Sequence, residues 1–299
     1  MPGTPQPDAT PDAALSFLDD LERWLATDVS TSAAKVHSAL LDFLRGAQAR
    51  WSTRAIVHSL CGRALDVAAT SLAAHAPAVE ARADLARSCA AERADLYATR
   101  AAAARMACAL LSGREDWIAA PSLSPAVREA FLLAQSLGRA PRALVAESRP
   151  GFGGRELATA LAAAGIPAWL TVDAALPLLL SQARMVWIGA DAVTDRGVLT
   201  TVGAYTASLA AREHSVPVYV LSVRREFIPA ATEALRITEL PPEQVWDDPA
   251  PGVRPRNVCV ELVPFELIRG VVVEDGVLGV TEAAQLARER ELPEALRRG

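Results

Sequence analysis

Lysine is nearly missing from this chain: Lys35 is the one lysine among 30 basic residues, and the others are arginines. A Schiff-base mechanism would have to run through Lys35 or the amino terminus. Cysteine is scarce as well. Cys61, Cys89, Cys108 and Cys259 form no C-x-x-C pair, and none has a histidine at metal-ligand spacing, so no zinc site is expected. Four scattered thiols in 299 residues fit a reduced, cytoplasmic protein rather than a disulfide framework. No uncharged apolar run reaches the roughly 18 residues of a membrane span. The most apolar window, residues 168–188, is broken by Asp173, Pro177, Gln182 and Arg184. The first twelve residues lack the basic and apolar regions of a signal peptide. Positive charge is not in excess either: 35 acidic residues leave a formal charge of -5, which argues against a nucleic-acid binder. The four histidines, His37, His58, His75 and His214, fall into no nucleophile–histidine–acid arrangement, so hydrolase chemistry has no support.

What is present is apolar bulk, 51% of the residues, enough for one large domain or two modest ones. The first third reads as helix. Leu15, Leu18, Leu21 and Leu25 share one face of a segment over residues 11–25. Ser30 or Thr31 is placed to cap a second helix that runs to residue 49, with Val36, Leu40, Leu41 and Leu44 on one side. Residues 53–74 continue the pattern. Pro77 suits the first turn of a further helix to residue 111, and Ser112-Gly113 ends it. The periodicity predicts a helical domain over residues 1–113.

From residue 114 to 299 the texture changes to short apolar runs alternating with amphipathic helices. Strands are expected at residues 117–120, 143–146, 168–172, 185–189 and 218–222. Helices are expected at 125–137, 155–164, 174–182 and 204–213, with a turn at Asp195-Arg196-Gly197. This alternation predicts an α/β fold, a Rossmann-like parallel sheet covered on both faces. Ligands of such sheets sit beyond the carboxyl ends of the strands. That rule selects the tips at 121–124, at 147–150, at Asp173 and at 189–191.

Three of those tips carry side chains with chemistry. Arg149 offers a bidentate fork to a phosphate, or pairs with a carboxylate. Gly153 and Gly154 open the next helix, whose amides can meet the same anion or form a tight turn. Full dinucleotide or P-loop spacing is not present. Asp191, directly after an apolar strand, is a general acid or base if burial raises its pKa, or a residue that bonds turn amides. Asp173 has the same two readings, with the helix cap favoured.

Taken in order, these segments resemble a known family. It contains the alpha, beta and delta subunits of eukaryotic initiation factor 2B, methylthioribose-1-phosphate isomerase and ribose-1,5-bisphosphate isomerase. The resemblance is carried by Glu147-Ser148-Arg149-Pro150 with Gly154, by Asp173, and by Gly189-Ala190-Asp191-Ala192-Val193. Gly197, Val202-Gly203, Ala204-Tyr205, the stretch 216–220 and the stretch 264–268 follow at consistent spacing. It implies a helical amino-terminal domain, a Rossmann-like carboxyl-terminal domain, and a homodimer or larger homo-oligomer. It also implies a phosphorylated small-molecule ligand, with no membrane, nucleic acid, metal or cofactor. The family's isomerases turn an aldose phosphate into a ketose with a cysteine and an aspartate. The aspartate matches Asp191. Ser122 stands at the cysteine position, and a hydroxyl is a far weaker acid than a thiol of reference pKa about 8.5. Thr200 and Thr201 replace an Asn-Lys pair that contacts substrate, and Gly153 replaces Glu or Gln.

The expected function is therefore a regulatory binding protein. It would hold a sugar phosphate or nucleotide between the domains through Arg149, Gly153, Gly154, Thr200, Thr201 and Gly203. The alternative is an aldose-ketose isomerase for a ribose 1-phosphate-type substrate, with Asp191 and Ser122 as its catalytic residues. A scaffold acting through protein contacts is a third reading. The first two both place Arg149 and Asp191, from neighbouring strand ends, on one cleft.

Overall fold

A computed structural model describes residues 12–113, 115–232, 235–237, 239–291 and 293–296. Four helices come first: α1 (Ala13–Thr27), α2 (Ala33–Arg50), α3 (Ala55–Ala73) and α4 (Ala78–Ala109). Their caps differ a little from expectation. Asp12 caps α1 by accepting from the amides of Ala14 and Leu15, at 3.1 and 3.3 Å. The same carboxylate pairs with Arg100 in the middle of α4. Ser32, rather than Ser30 or Thr31, caps α2, taking the Lys35 amide at 3.3 Å. Pro77 sits at the N-cap of α4, one residue outside its first turn.

Helix α4 joins the two halves of the molecule. Leu85, Cys89 and Leu96 pack into the helical core with Phe17, Leu40 and Leu60. Ala104, Ala107 and Cys108, further along the same helix, pack under the sheet that follows. Buried His58 on α3 tightens the helical half. Its Nδ1 lies 3.0 Å from Gln48 Nε2 and its Nε2 lies 3.1 Å from the Ser52 carbonyl, which fits a neutral ring with the proton on Nε2. Burial holds its pKa below 6.5. Gln48 also donates to the Leu296 carbonyl at 3.3 Å, tying the carboxyl-terminal turn to this core. His58→Ala is expected to cost about 2 kcal/mol, from the lost packing and the orphaned Ser52 carbonyl. An unchanged urea midpoint would contradict this.

The second half begins with β1 (Trp117–Ala120), α5 (Pro125–Ser136), β2 (Arg142–Ala146), α6 (Gly153–Ala163) and β3 (Ala168–Thr171). It continues with α7 (Leu176–Leu179), β4 (Met185–Gly189), β5 (Ala192–Thr194), β6 (Gly197–Thr201) and α8 (Ala204–Glu213). The last elements are β7 (Val218–Leu221), β8 (Val260–Val263), β9 (Gly270–Val273), β10 (Gly276–Leu278) and α9 (Val280–Glu289). Among the described residues, seven strands form one sheet in the order β10-β9-β7-β4-β1-β2-β3. All its pairings are parallel except the β9–β10 hairpin. A three-stranded antiparallel sheet, β5-β6-β8, stands beside it.

Two expectations need correction. The helix expected over 174–182 is a short α7 between two 3₁₀ turns; Pro177 sits in the first turn of α7, and its missing amide leaves no α-helical bond back to residue 173. The turn at 195–197 joins two strands, β5 and β6, that lie in the second sheet. The first of these is three residues long, too short to show a period.

The topology fixes where a ligand belongs. Helices α5 and α6 cover one face of the large sheet, with the end of α4. Helices α7, α8 and α9 cover the other. Neighbouring strands β1 and β4 therefore lead away to opposite faces, and the rule for such sheets places a ligand crevice between their carboxyl ends. Ser122 follows β1 and Asp191 follows β4, so both flank that crevice. Both are buried.

Candidate functional site

The start of α3 meets the end of β4. The Ala55 amide donates to the Asp191 carbonyl at 2.8 Å, and the Asp191 amide donates to the Leu199 carbonyl at 2.8 Å. The Asp191 carboxylate pairs with the Arg54 guanidinium through Oδ1. Arg54 belongs to the helical half and Asp191 to the sheet half, so this ion pair closes the seam between them. The Asp191 side chain is 5% exposed and that of Arg54 is 26% exposed. Its Oδ2 is buried with no hydrogen-bond partner. Burial pushes the Asp191 carboxyl up, and the charge and hydrogen bond of Arg54 pull it back. The positive end of the α3 dipole lies at the same place. A chain of negative net charge thus builds a positive wall against one buried carboxylate.

Cys259, just before β8, feels both charges. Burial chiefly pushes its thiol up, Asp191 adds to the rise, and Arg54 opposes it. A neutral thiol, rather than a thiolate, is the form favoured there. Ala55, Ala192 and Cys259 pack in one small cluster, so the thiol stands beside the Arg54–Asp191 seam.

The tip of β1 closes over the tip of β4. A Cβ built on Gly189 would lie 2.1 Å from Ser124 Oγ, which shows how tightly the 121–124 loop presses on the Gly189-Ala190-Asp191 turn. Ser122 sits in that loop.

The tip of β2 is organised differently. The Asp173 carboxylate accepts from the Ser148 amide at 2.7 Å and the Arg149 amide at 2.8 Å. It holds the β2–α6 turn rather than capping its own helix through a side-chain bond. The Arg149 guanidinium donates to the Val245 carbonyl at 3.0 Å and lies 4.8 Å over the Phe152 ring, whose other contact is Arg155 at 3.8 Å. Arg149 and Asp191 therefore engage different partners, and the guanidinium that touches Asp191 is that of Arg54. Gly154 is required by packing: a Cβ there would lie 1.7 Å from the Ala146 carbonyl oxygen. Its amide donates to the Glu147 carbonyl at 3.2 Å. A Cβ on Gly153 would meet Leu123 Cβ at 3.0 Å.

Thr200 and Thr201 lie on β6, opposite Glu261 and Val260 of β8. Thr200 is buried. Gly203 takes the left-handed φ of 102° that starts α8. The amides at that helix start, of Gly203, Ala204 and Tyr205, already hold an anion, the Glu261 carboxylate, at 2.7 Å from the Tyr205 nitrogen. A cavity of about 260 Å³ opens nearby, walled by Pro121, Ala146, Asp173, Leu176, Gly203 and Thr206 among others. Arg149 and Asp191 are not among its lining residues.

A second acid stands behind Asp191. Glu226 follows β7 and accepts from Ser222 Oγ at 2.7 Å and from the Val223 amide at 3.3 Å. Burial pushes its carboxyl from 4.5 up to about 7; Ser222 and then Arg100 oppose the rise, and Asp191 adds to it. The folded chain therefore binds a proton that the unfolded chain releases near pH 4.5. This contribution to stability is complete below 4.5 and is lost as pH rises through about 7. Glu226→Gln removes that loss. Relative to wild type it should gain about 1–2 kcal/mol between pH 5 and pH 8, a value reduced because the residue keeps some solvent contact. Parallel stability curves for the two proteins would contradict this.

Sequence reasoning passed over Arg54, Glu226 and Glu261. Among the described residues no group of three or more His, Cys, Asp or Glu is placed to hold a metal ion, and no helix is long and apolar enough to cross a membrane.

Comparison with known proteins agrees with this architecture. The model of a family described as the Initiation factor 2 subunit family matches residues 48–280. An eIF-2B subunit 2-like protein of Pyrococcus abyssi (strain GE5 / Orsay) is 32% identical over 164 residues, 54% of this chain and 58% of that protein. A methylthioribose-1-phosphate isomerase of Synechococcus sp. (strain CC9902) is 35% identical over 143 residues, 44% of this chain and 43% of that one. The matched stretch spans about half the length of these relatives. The crystal structure of the tetrameric eIF2B-beta2-delta2 complex from C. thermophilum superposes with a TM-score of 0.63 at 19% identity, over 92% of this chain and 87% of that one. At that identity the likeness is one of fold.

Proposed function

The chain belongs to the Initiation factor 2 subunit family, and from that premise we propose that it is a regulatory protein binding a phosphorylated small molecule in the cleft between its two halves. The observation that carries the proposal is the Arg54–Asp191 pair at the β1–β4 crevice. Arg54 supplies a partly exposed guanidinium from one half, and an incoming phosphate competes with Asp191 for its donors. The ligand's sugar hydroxyls face Asp191, whose second oxygen has no partner. A sugar phosphate or a nucleotide offers both groups. Arg149 lies in the turn after β2, Gly153 and Gly154 open α6, Thr200 and Thr201 lie on β6, and Gly203 precedes α8. Arg149 reaches an anion by exchanging the Val245 carbonyl for it.

Turnover is not part of this reading. Ser122 offers no thiol, and the nearest thiol, Cys259, is kept neutral. One observation favours the alternative, an aldose-ketose isomerase: burial raises the Asp191 carboxyl, as a general acid requires. Drawing Arg54 away to a phosphate would raise it further. The two readings part in one experiment. Calorimetry with ribose and hexose phosphates, paired with an NMR assay of each sugar 1-phosphate, should show binding without conversion. Conversion that Asp191→Asn abolishes would establish the isomerase, and no heat from any compound would end both.

The chain also associates with itself in this reading; the C. thermophilum structure that shares its fold is a tetramer of beta and delta subunits.

A further inference from the structure

Asp191 is not the only acid at the seam. Residues 191–193 and 226–228 run side by side: Val193 bridges Phe227 in parallel, and the Ile228 amide donates to the Val193 carbonyl at 3.0 Å. That pairing sets Glu226 beside the Asp191-Ala192 step, close enough for the Asp191 charge to act on it. Helix α3 starts against the same place, through the Ala55 amide on the Asp191 carbonyl.

The two carboxylates share little positive charge. Glu226 Oε2 accepts both of its bonds, from Ser222 and Val223, and Oε1 accepts none from the described residues. Asp191 Oδ1 has Arg54, and Oδ2 is buried with no partner. Arg100, whose charge also reaches Glu226, gives Nη1 and Nη2 to the two oxygens of Asp12. The one lysine, Lys35, bonds Thr31 at the start of α2 and supplies no ammonium here.

A phosphate sharpens the imbalance. It takes donors from Arg54, and one guanidinium then faces two anions. Left uncompensated, a carboxylate only 5% exposed either repels the ligand or takes up a proton. A ligand that brings its own cation avoids both. An ammonium has three donors, enough for the two free carboxylate oxygens and one acceptor more. A metal ion would need more ligands than these, and among the described residues no group of three or more His, Cys, Asp or Glu is placed to hold one.

We propose that the ligand of this cleft is an amino sugar phosphate, its ammonium held between Asp191 Oδ2 and Glu226 Oε1 and its phosphate on Arg54. This rests on the reading that the cleft binds a phosphorylated sugar, and names the further group that the sugar carries.

Calorimetry on the full chain at pH 7 tests it with two matched pairs: glucosamine 6-phosphate against glucose 6-phosphate, and glucosamine 1-phosphate against glucose 1-phosphate. The amine should bind at least ten-fold tighter in one pair or both. Glu226→Gln, which the burial of Glu226 predicts to be a folded and stabilised protein, should shrink that preference at least three-fold. Glu80→Gln, an exposed acid in the first turn of α4, should leave it unchanged and so controls for the general attraction of cations to an acidic chain. Equal affinities within both pairs, binding confined to sugars without an amine, or a preference kept in full by Glu226→Gln would overturn the ammonium site while leaving phosphate binding in the cleft standing. No heat from any phosphorylated sugar, ribose phosphates included, would overturn the cleft reading itself.

Discussion

Arg54→Ala is expected to destabilise the chain by about 3 kcal/mol at pH 8, because it strands a buried carboxylate without its counter-ion. The Asp191 side chain is 5% exposed, so water cannot replace the guanidinium. The size of the loss should depend on pH. With Arg54 gone, burial of the Asp191 carboxyl is no longer opposed by the guanidinium's charge and hydrogen bond, and its pKa climbs. A folded-state pKa above the unfolded value favours the folded chain at low pH, so the loss should shrink towards pH 5. Adding Asp191→Asn removes the charge that Arg54 was needed to balance. Most of the lost stability should return in the double variant. Urea titrations of the four proteins at pH 8 and pH 5 measure this. An equal cost for Arg54→Ala with Asp or Asn at position 191 would show that the pair is not coupled.

Gly154→Ala is expected to be as severe for a different reason. The new methyl would sit 1.7 Å from the Ala146 carbonyl oxygen and 2.8 Å from its carbon. Those are backbone atoms of β2 and cannot rotate away, so α6 must shift off the sheet. A cost of about 3 kcal/mol or more is expected, with loss of soluble protein as the extreme outcome. Gly151→Ala, where a Cβ meets nothing within 4 Å, is the matched control and should fall within about 1 kcal/mol of wild type. Equal thermal midpoints for Gly154→Ala and wild type would contradict the packing account.

These residues also mark what can be read from a one-dimensional pattern. The four leading helices were legible because they repeat apolar residues at helical spacing, and β1 to β4 and β7 because each is a short apolar run next to an amphipathic helix or a turn. Asp191 was legible as a strand-tip carboxylate, since it directly follows the apolar run 185–189. Its partner was not. Arg54 lies 137 positions away and reads locally as the residue before a helix. The contact exists because α3 starts against the β4 turn, a tertiary fact. Asp173 was expected to cap a helix, yet long-range amides from the β2 tip won its carboxylate. Glu261 was hidden for a similar reason: β8 is four residues long, with no helix to announce it, and its carboxylate reaches α8 across the small sheet. β5 was too short to leave a periodic trace, and Pro177 divided what looked like one helix.

The central claim is that a phosphorylated sugar is held where Arg54 faces Asp191. Calorimetric titration of methylthioribose 1-phosphate into wild type and into the Arg54→Ala, Asp191→Asn double variant, whose fold should be largely restored, addresses it most directly. The account predicts saturable binding to wild type and at least ten-fold weaker binding to the folded double variant. Equal affinity for both proteins, or no heat with wild type at millimolar ligand, would contradict it.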